Sequence, residues 1–465
     1  MSDQFGRLAK TAIAAYFQAH PAEATQLGNH AHDEQLADLS QSATDRRRRE
    51  LGSLLTQLDE LTGLDVAAAV DRAMLRTEAS RELLSLEMLD EPSWDVPQYN
   101  PGPALHALIA QDFAPLADRL SSVAGRLRAV PDYFAAARQR LTDPPRVYLE
   151  AAIGQLAGTH AMITGEIAEL AEQTGRQAEL ADPIDRAAAA VLEFQDWLRA
   201  LLPKAPAAFR LGEQPYTNKL SLTLHTAWRP ADLLARADAD LVRIEAELAE
   251  LVGTDGPASR ADIAAELDRL ATDQPDNHSI AARCRAALAE STRFVEQHQL
   301  LTLLHDPVEV VEMPEIFRGP AVAYCQPVGP LETAPLPTRF AVCPASPAWP
   351  AEQVRAYYRE YNNHALQNIT VHEAMPGHVE QLSHARRYRD DTLIRSVFES
   401  SLFIEGWAVY AEELMVEHGY RSEVSATAAR SLRLHQLILQ LRRVIATILD
   451  ISLHAGDLDQ AARSS

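Results

Sequence analysis

The chain has 465 residues, 47% hydrophobic and 23% charged, proportions that belong to a folded globular protein and exclude a disordered one. Its 43 basic and 65 acidic side chains leave a net charge of −22, which repels phosphate backbones and excludes nucleic acid as a general partner. Cys284, Cys325 and Cys343 stand at no metal-like spacing, no apolar leader opens the chain and no apolar run is long enough to span a bilayer, so a cytoplasmic protein with reduced thiols and no membrane association is expected.

From the N-terminus, Phe5, Leu8, Ala12, Ile13 and Phe17 recur at helical spacing and predict a helix over 3–18. Further helices are predicted over 42–61, 65–87, 103–125, 130–141, 146–174, 183–201, 229–252, 259–271 and 278–299. The run Arg46–Arg49 is flanked by Asp45 and Glu50 and reads as a solvated helix face. Ten prolines then fall within 304–350, around two β-like runs, Val308–Met313 and Arg339–Cys343. Proline confines such runs to edge strands and turns. The expected fold is therefore mainly α with a small Pro-rich β element. In domain terms this is an N-terminal helical region (1–303), a β insertion (304–350) and a catalytic helical region (351–465), forming one compact unit.

Beyond the insertion, Val354, Tyr357, Tyr358, Tyr361, Leu366, Ile369 and His372 continue a helical stripe into His372-Glu373-Ala374-Met375-Pro376-Gly377-His378. In an HExxH helix the histidines at i and i+4 share one face and can grip one metal ion. Here they stand at i and i+6, about 120° out of register on an unbroken helix. Pro376 cannot donate to the carbonyl of His372, and Gly377 admits unusual dihedrals, so a bulge can swing His378 back toward His372. An ordinary histidine pair around a Pro-Gly kink is the alternative.

A helix over 396–417 sets Phe398, Leu402, Glu405, Val409 and Glu412 on one stripe, two carboxylates on an apolar face. A buried, unpaired carboxylate costs several kcal/mol. A metal held by His372, His378 and Glu405 would compensate Glu405; an arginine is the alternative partner. Two imidazoles, one carboxylate and one open position make the ligand set of catalytic zinc. Glu412 suits a place behind the ligands. The stretch 434–449 carries the clearest stripe, Leu434, Leu437, Ile438, Leu441, Ile445 and Ile448, while His418 and His435 read as surface residues.

The segments 372–382 and 403–413 resemble the domain of unknown function 885 family, a bacterial, helix-rich group of zincin-like proteins inferred to be metallopeptidases. Pro21 to Thr25 with Gly28 and His30, and Leu441-Arg442-Arg443 through Asp450 and His454, extend the likeness over nearly the whole chain. It implies a large helical zincin-like fold, His372, His378 and Glu405 as metal ligands, and Glu373 as general base. Val379 stands where members carry a second histidine, which leaves His378 as the ligand there. Members also usually continue well past the equivalent of His454, with further active-site motifs. The expected function is zinc-dependent hydrolysis of amide bonds in short peptides, with one Zn2+ per chain and Glu373 taking the proton of the attacking water. Tyr410 or His454 would donate to the oxyanion, with Asp450 fixing the tautomer of His454. A packing role for Tyr410 and a plain surface pair for Asp450 and His454 are the alternatives. A catalytically impaired, truncated relative, metal-binding or non-enzymatic, and a biosynthetic tailoring hydrolase of amide or acyl groups are the alternative functions.

Overall fold

In the computed structural model, which describes residues 2–253, 256–318, 321–388 and 391–456, the chain is mainly α with one three-stranded mixed sheet. It divides into two compact units: the residues up to His225 with Val328–Leu336 and Arg386–Glu399, and Thr226–Pro327 with Pro337–Ala385 and the residues from Ser400 on.

The first unit is built from amphipathic helices whose ends are fixed by side chains. Following α1 (Ser2–Ala19) and α2 (Pro21–Gln26), Ser40 caps α3 (Gln41–Glu60) by accepting from Ala43 N, and Asp65 caps α4 (Val66–Glu87) by accepting from Ala68 N. The long helices α5 (Leu116–Arg140) and α6 (Gln177–Leu201) bury Leu120, Leu127 and Phe134 with Ile184, Val191 and Phe194, and the rings of Phe134 and Phe194 stack at 4.3 Å. Three sequence expectations change here, the first being that the helix predicted over 103–125 is interrupted at 111–115. The predicted break between 125 and 130 does not occur, because α5 runs through Pro131. One hydrogen bond is lost there, but Leu127, Val130 and Phe134 keep a single buried face on both sides. Helix α7 (Glu213–Leu224) has no counterpart among the predicted helices; Tyr216 is its one buried residue, too little to write a period.

Val328–Leu336 lies on the turn that follows α2. Leu331 N donates to Leu27 O at 2.8 Å, and His30 stands between Asp33 and Glu332, 2.9 Å from each. Gly28 has φ +86°, and a Cβ there would stand 2.3 Å from Glu332 N. Gly28→Ala is expected to cost about 3 kcal/mol, from overpacking plus a left-handed backbone. Urea denaturation checks this, and an unchanged midpoint would refute the close packing.

The second unit starts with α8 (Pro230–Val252), α9 (Arg260–Leu270) and α10 (Ile280–His298). Strands β1 (Val308–Glu312), β2 (Ala323–Gln326) and β3 (Thr338–Val342) follow in the spatial order β1-β3-β2, with β3 parallel to β1 and antiparallel to β2. The prolines bracket the strands instead of entering them. Pro337 and Pro344 flank β3, which contains none, so a Pro-flanked strand expected at an edge is the central one. Phe340 and Val342 of β3 pack on Ile280 and Cys284 of α10 and on Leu366 and Ile369.

The stripe from Val354 onward is two helices, α11 (Ala351–Glu360) and α12 (Asn363–Glu373), because Asn362 accepts from His364 N and Ala365 N and starts a new helix. After α13 (His378–Arg387) come α14 (Ser401–Glu417) and α15 (Ala426–His454). The α15 stripe is covered at one end, where Leu434 and Leu437 pack on Ile244, Leu248 and Leu270, and opens at Ile445. His435 is buried, contrary to the surface position expected of it. Its Nδ1 lies 2.9 Å from Ser431 O and its Nε2 3.2 Å from Asn362 Nδ2, so both polar atoms are satisfied, and burial pulls its pKa down to about 4.

Candidate metal centre

The two histidines of the motif meet through a complete break between helices. α12 ends at Ala374 (φ −122°, ψ −90°), a turn over 374–377 with a cis Met375–Pro376 peptide follows, and α13 begins at His378. Gly377 N donates to Val371 O at 2.9 Å, and Trp407 Nε1 of α14 donates to Pro376 O at 2.8 Å, closing the turn from outside. Gly377 has no positive φ; it is required for space, since a Cβ would stand 1.8 Å from His372 O. The imidazole rings of His372 and His378 lie 4.7 Å apart, at 80° to each other.

His372, Glu373 and His378 each offer a ligand atom, all within 4.8 Å of one another. Glu405 joins them from α14, with Oε2 3.5 Å from His372 Nε2 and Oε1 3.8 Å from His378 Nε2. Donors bonded at about 2.0–2.1 Å to one tetrahedral ion stand about 3.3 Å apart, so this spacing needs little contraction. On the far side of His372, Nδ1 lies 2.7 Å from Glu412 Oε1. A carboxylate only accepts, so Nδ1 carries the proton and donates, which turns Nε2 toward Glu405 and His378. His378 Nδ1, the ring nitrogen other than the one facing Glu405, is buried without a hydrogen-bond partner among the described residues.

Electrostatics follow from burial and charge. Burial pushes the Glu373 carboxyl up to about 7, against the neighbouring His372 charge, with the Glu405 charge adding to the effect and the Cys325 N–H, donated from β2 at 3.1 Å, also opposing it. Burial favours neutral His372, but its hydrogen bonds to Glu405 and Glu412 win and raise it to about 9. Burial and the neighbouring His372 hold His378 below the usual histidine range.

Glu405 is not the buried carboxylate expected of it. Its side chain is 65% exposed, and Leu402 and Phe403 beside it are more than half exposed. The fully buried carboxylate is Glu412, at 0% exposure, and the arginine considered as a partner for Glu405 serves Glu412 instead. Arg443 Nη2 donates to its Oε1 at 2.6 Å and Asn368 Nδ2 to its Oε2 at 2.8 Å. Sequence reasoning places neither Arg443 nor Asn368 in the site. The readable signal is Arg443 seven residues after Gln436 on α15, a polar line beside the apolar stripe. Tyr410 lies five residues and about 140° around α14 from Glu405, half exposed, with its ring 5.9 Å from Trp407. His454 Nε2 is 4.0 Å from Asp450 Oδ1, and this pair sits near the end of α15, with His454 about 16 Å along the helix from Arg443.

The profile of a family described as "Bacterial protein of unknown function (DUF885)" matches residues 21–463. Among solved structures, a protein from Shewanella oneidensis is 26% identical, with a TM-score of 0.76 over 97% of this chain and 83% of that one. A protein from Colwellia psychrerythraea shares the fold at 16% identity, with a TM-score of 0.78 and the same 97% and 83% coverage. Both are described as a "putative lipoprotein", a description at odds with a cytoplasmic location. No curated protein matches. No helix among the described residues is long and apolar enough to cross a membrane.

Proposed function

We propose that this chain, which belongs to the DUF885 family, is a zinc-dependent hydrolase of amide bonds in short peptides. The observation that carries the reading is the approach of Glu405 to within 3.5 and 3.8 Å of the Nε2 atoms of His372 and His378, while Glu373, in the same cluster, has its Oε2 engaged by the Cys325 amide. Two imidazoles and one carboxylate, with one imidazole held from behind by a carboxylate, form the donor set of catalytic zinc. His372, His378 and Glu405 would hold the ion through the atoms that already face one another, Nε2 of each imidazole and the Glu405 carboxylate. When bound, such an ion polarises a carbonyl oxygen and brings the pKa of water to about 7.

The remaining work falls to the chain. The Cys325 N–H fixes Glu373 Oε2, which leaves Oε1 to take a proton from the attacking water and return it to the leaving amine. A carboxylate held near 7 suits that exchange at neutral pH. Strand β2 is an edge of the sheet, and its Cys325 N–H is the group that holds Glu373.

The exposure of Glu405, Leu402 and Phe403 favours one second reading, a chain that binds metal with impaired turnover, because an open site leaves charges in water. Metal analysis and a screen of dipeptides and tripeptides with and without chelator separate the two. One zinc per chain is expected, falling to near none in His378→Ala, with chelator-sensitive hydrolysis. Wild-type chain that takes up no zinc would sink both readings; zinc without turnover would leave the second.

A further inference from the structure

Helix α15 braces α12 at both ends. His435 Nε2 lies 3.2 Å from Asn362 Nδ2, the residue that caps the start of α12. Eight residues on, about two turns and 12 Å along α15, Arg443 reaches the other end. There Nη2 donates to Glu412 Oε1 at 2.6 Å and Nη1 approaches Oε2 at 3.4 Å, so the guanidinium spans both oxygens. Asn368 Nδ2 and His372 Nδ1 supply the other donors to this fully buried carboxylate, at 2.8 and 2.7 Å.

We propose that Arg443 is a positioning residue of the metal centre, acting through Glu412 to fix the ring plane and tautomer of His372. A carboxylate with two single-point donors can still rotate about its Cγ–Cδ bond. A planar guanidinium across both oxygens fixes that rotation, which a point charge does less well. With the Glu412 plane fixed, Oε1 stays in line with the Nδ1–H of His372, and Nε2 stays aimed at Glu405 and His378. Arg443 Nη2 also stands 3.3 Å from His372 Nδ1. Two donors do not bond each other, so that contact adds no hold of its own and Glu412 is the route of the effect. The proposal concerning zinc rests on His372 being a ligand; the orientation of the ring in metal-free protein does not.

The full-length chain tests both parts. In metal-free protein the His372 Nδ1–H should give a downfield proton resonance, assigned by its loss in His372→Gln. It should persist in Arg443→Lys, and disappear or broaden in Arg443→Ala and Glu412→Gln. Zinc affinity, measured by chelator competition, should fall roughly 10–100-fold in Arg443→Ala, recover in part in Arg443→Lys, and fall no further in Arg443→Ala/Glu412→Gln than in Glu412→Gln alone. Losses that multiply in the double variant would overturn the route through Glu412. An unchanged resonance with affinity within about twofold of wild type in Arg443→Ala would overturn the proposal altogether. Should Arg443→Ala not fold, Arg443→Gln takes its place: a lost resonance with weakened zinc binding supports the proposal, and wild-type values of both overturn it. If wild type binds no zinc but the resonance depends on Arg443 as described, the metal reading fails and the positioning of His372 stands.

Discussion

Glu373→Gln is expected to leave zinc binding intact and to lower kcat/KM on peptide substrates by about 10²–10⁴, the usual worth of a general base. That range is about 3–5 kcal/mol of transition-state stabilisation. Glutamine keeps the size of the side chain and an oxygen that can accept the Cys325 N–H, now 3.1 Å from Glu373 Oε2, so the local packing survives. Only the proton acceptor is lost. The prediction has force because the geometry permits a second assignment. Glu373 itself offers an oxygen to the same cluster as the two histidines, within 4.8 Å. If Glu373 were the ligand and Glu405 the base, Glu373→Gln would release zinc and Glu405→Gln would retain it. Burial argues for the roles as proposed: it pushes the Glu373 carboxyl up to about 7, suited to proton exchange, whereas Glu405 is held below the usual carboxylate range chiefly by His372, suited to a permanent anion. Zinc content measured beside kcat/KM for both variants decides between the assignments.

The sequence made the helices legible wherever a buried stripe ran the length of an element. Phe5 to Phe17 writes α1 almost to the residue, and Leu434 to Ile448 locates α15, although that helix starts eight residues before the stripe. β2 was missed because four residues, Ala323 buried and the other three half-buried, carry no period. A period also names a face without saying how far along the helix that face is covered. On α14, Leu402, Glu405, Val409 and Glu412 share one stripe, yet cover begins only near Ala408. Ala408, Ala411, Glu412 and Met415 are buried, while Leu402 is open. The expectation of a buried Glu405 failed for that reason, and the same argument holds further along, in the covered part, at Glu412. The histidines were legible from spacing because the Pro-Gly pair announced a break. Arg443 was not, because its partner is 31 residues away on another helix and only the packing of α15 brings the two together.

The break itself supports the other large effect. Gly377→Ala is expected to destabilise the chain by about 3 kcal/mol and to lower zinc affinity far more than any change behind the ligands. The added Cβ would meet His372 O at 1.8 Å and Val371 O at 2.4 Å. Both are backbone atoms of the last turn of α12, so no side chain can rotate to make room. Relief comes in one of two ways. The turn opens, breaking the 2.9 Å bond from Gly377 N to Val371 O and carrying His378 away, or the last turn of α12 unwinds and carries His372 and Glu373 with it. Either path separates imidazoles that now stand 4.7 Å apart. Urea denaturation and chelator competition read the two consequences separately. A lowered midpoint with lost zinc is the expected pair of results, because the same backbone contact sets the stability of the turn and the spacing of the ligands. Zinc retained at wild-type affinity would mean that His378 reaches the centre without this turn, and the geometric basis of the site would have to be abandoned.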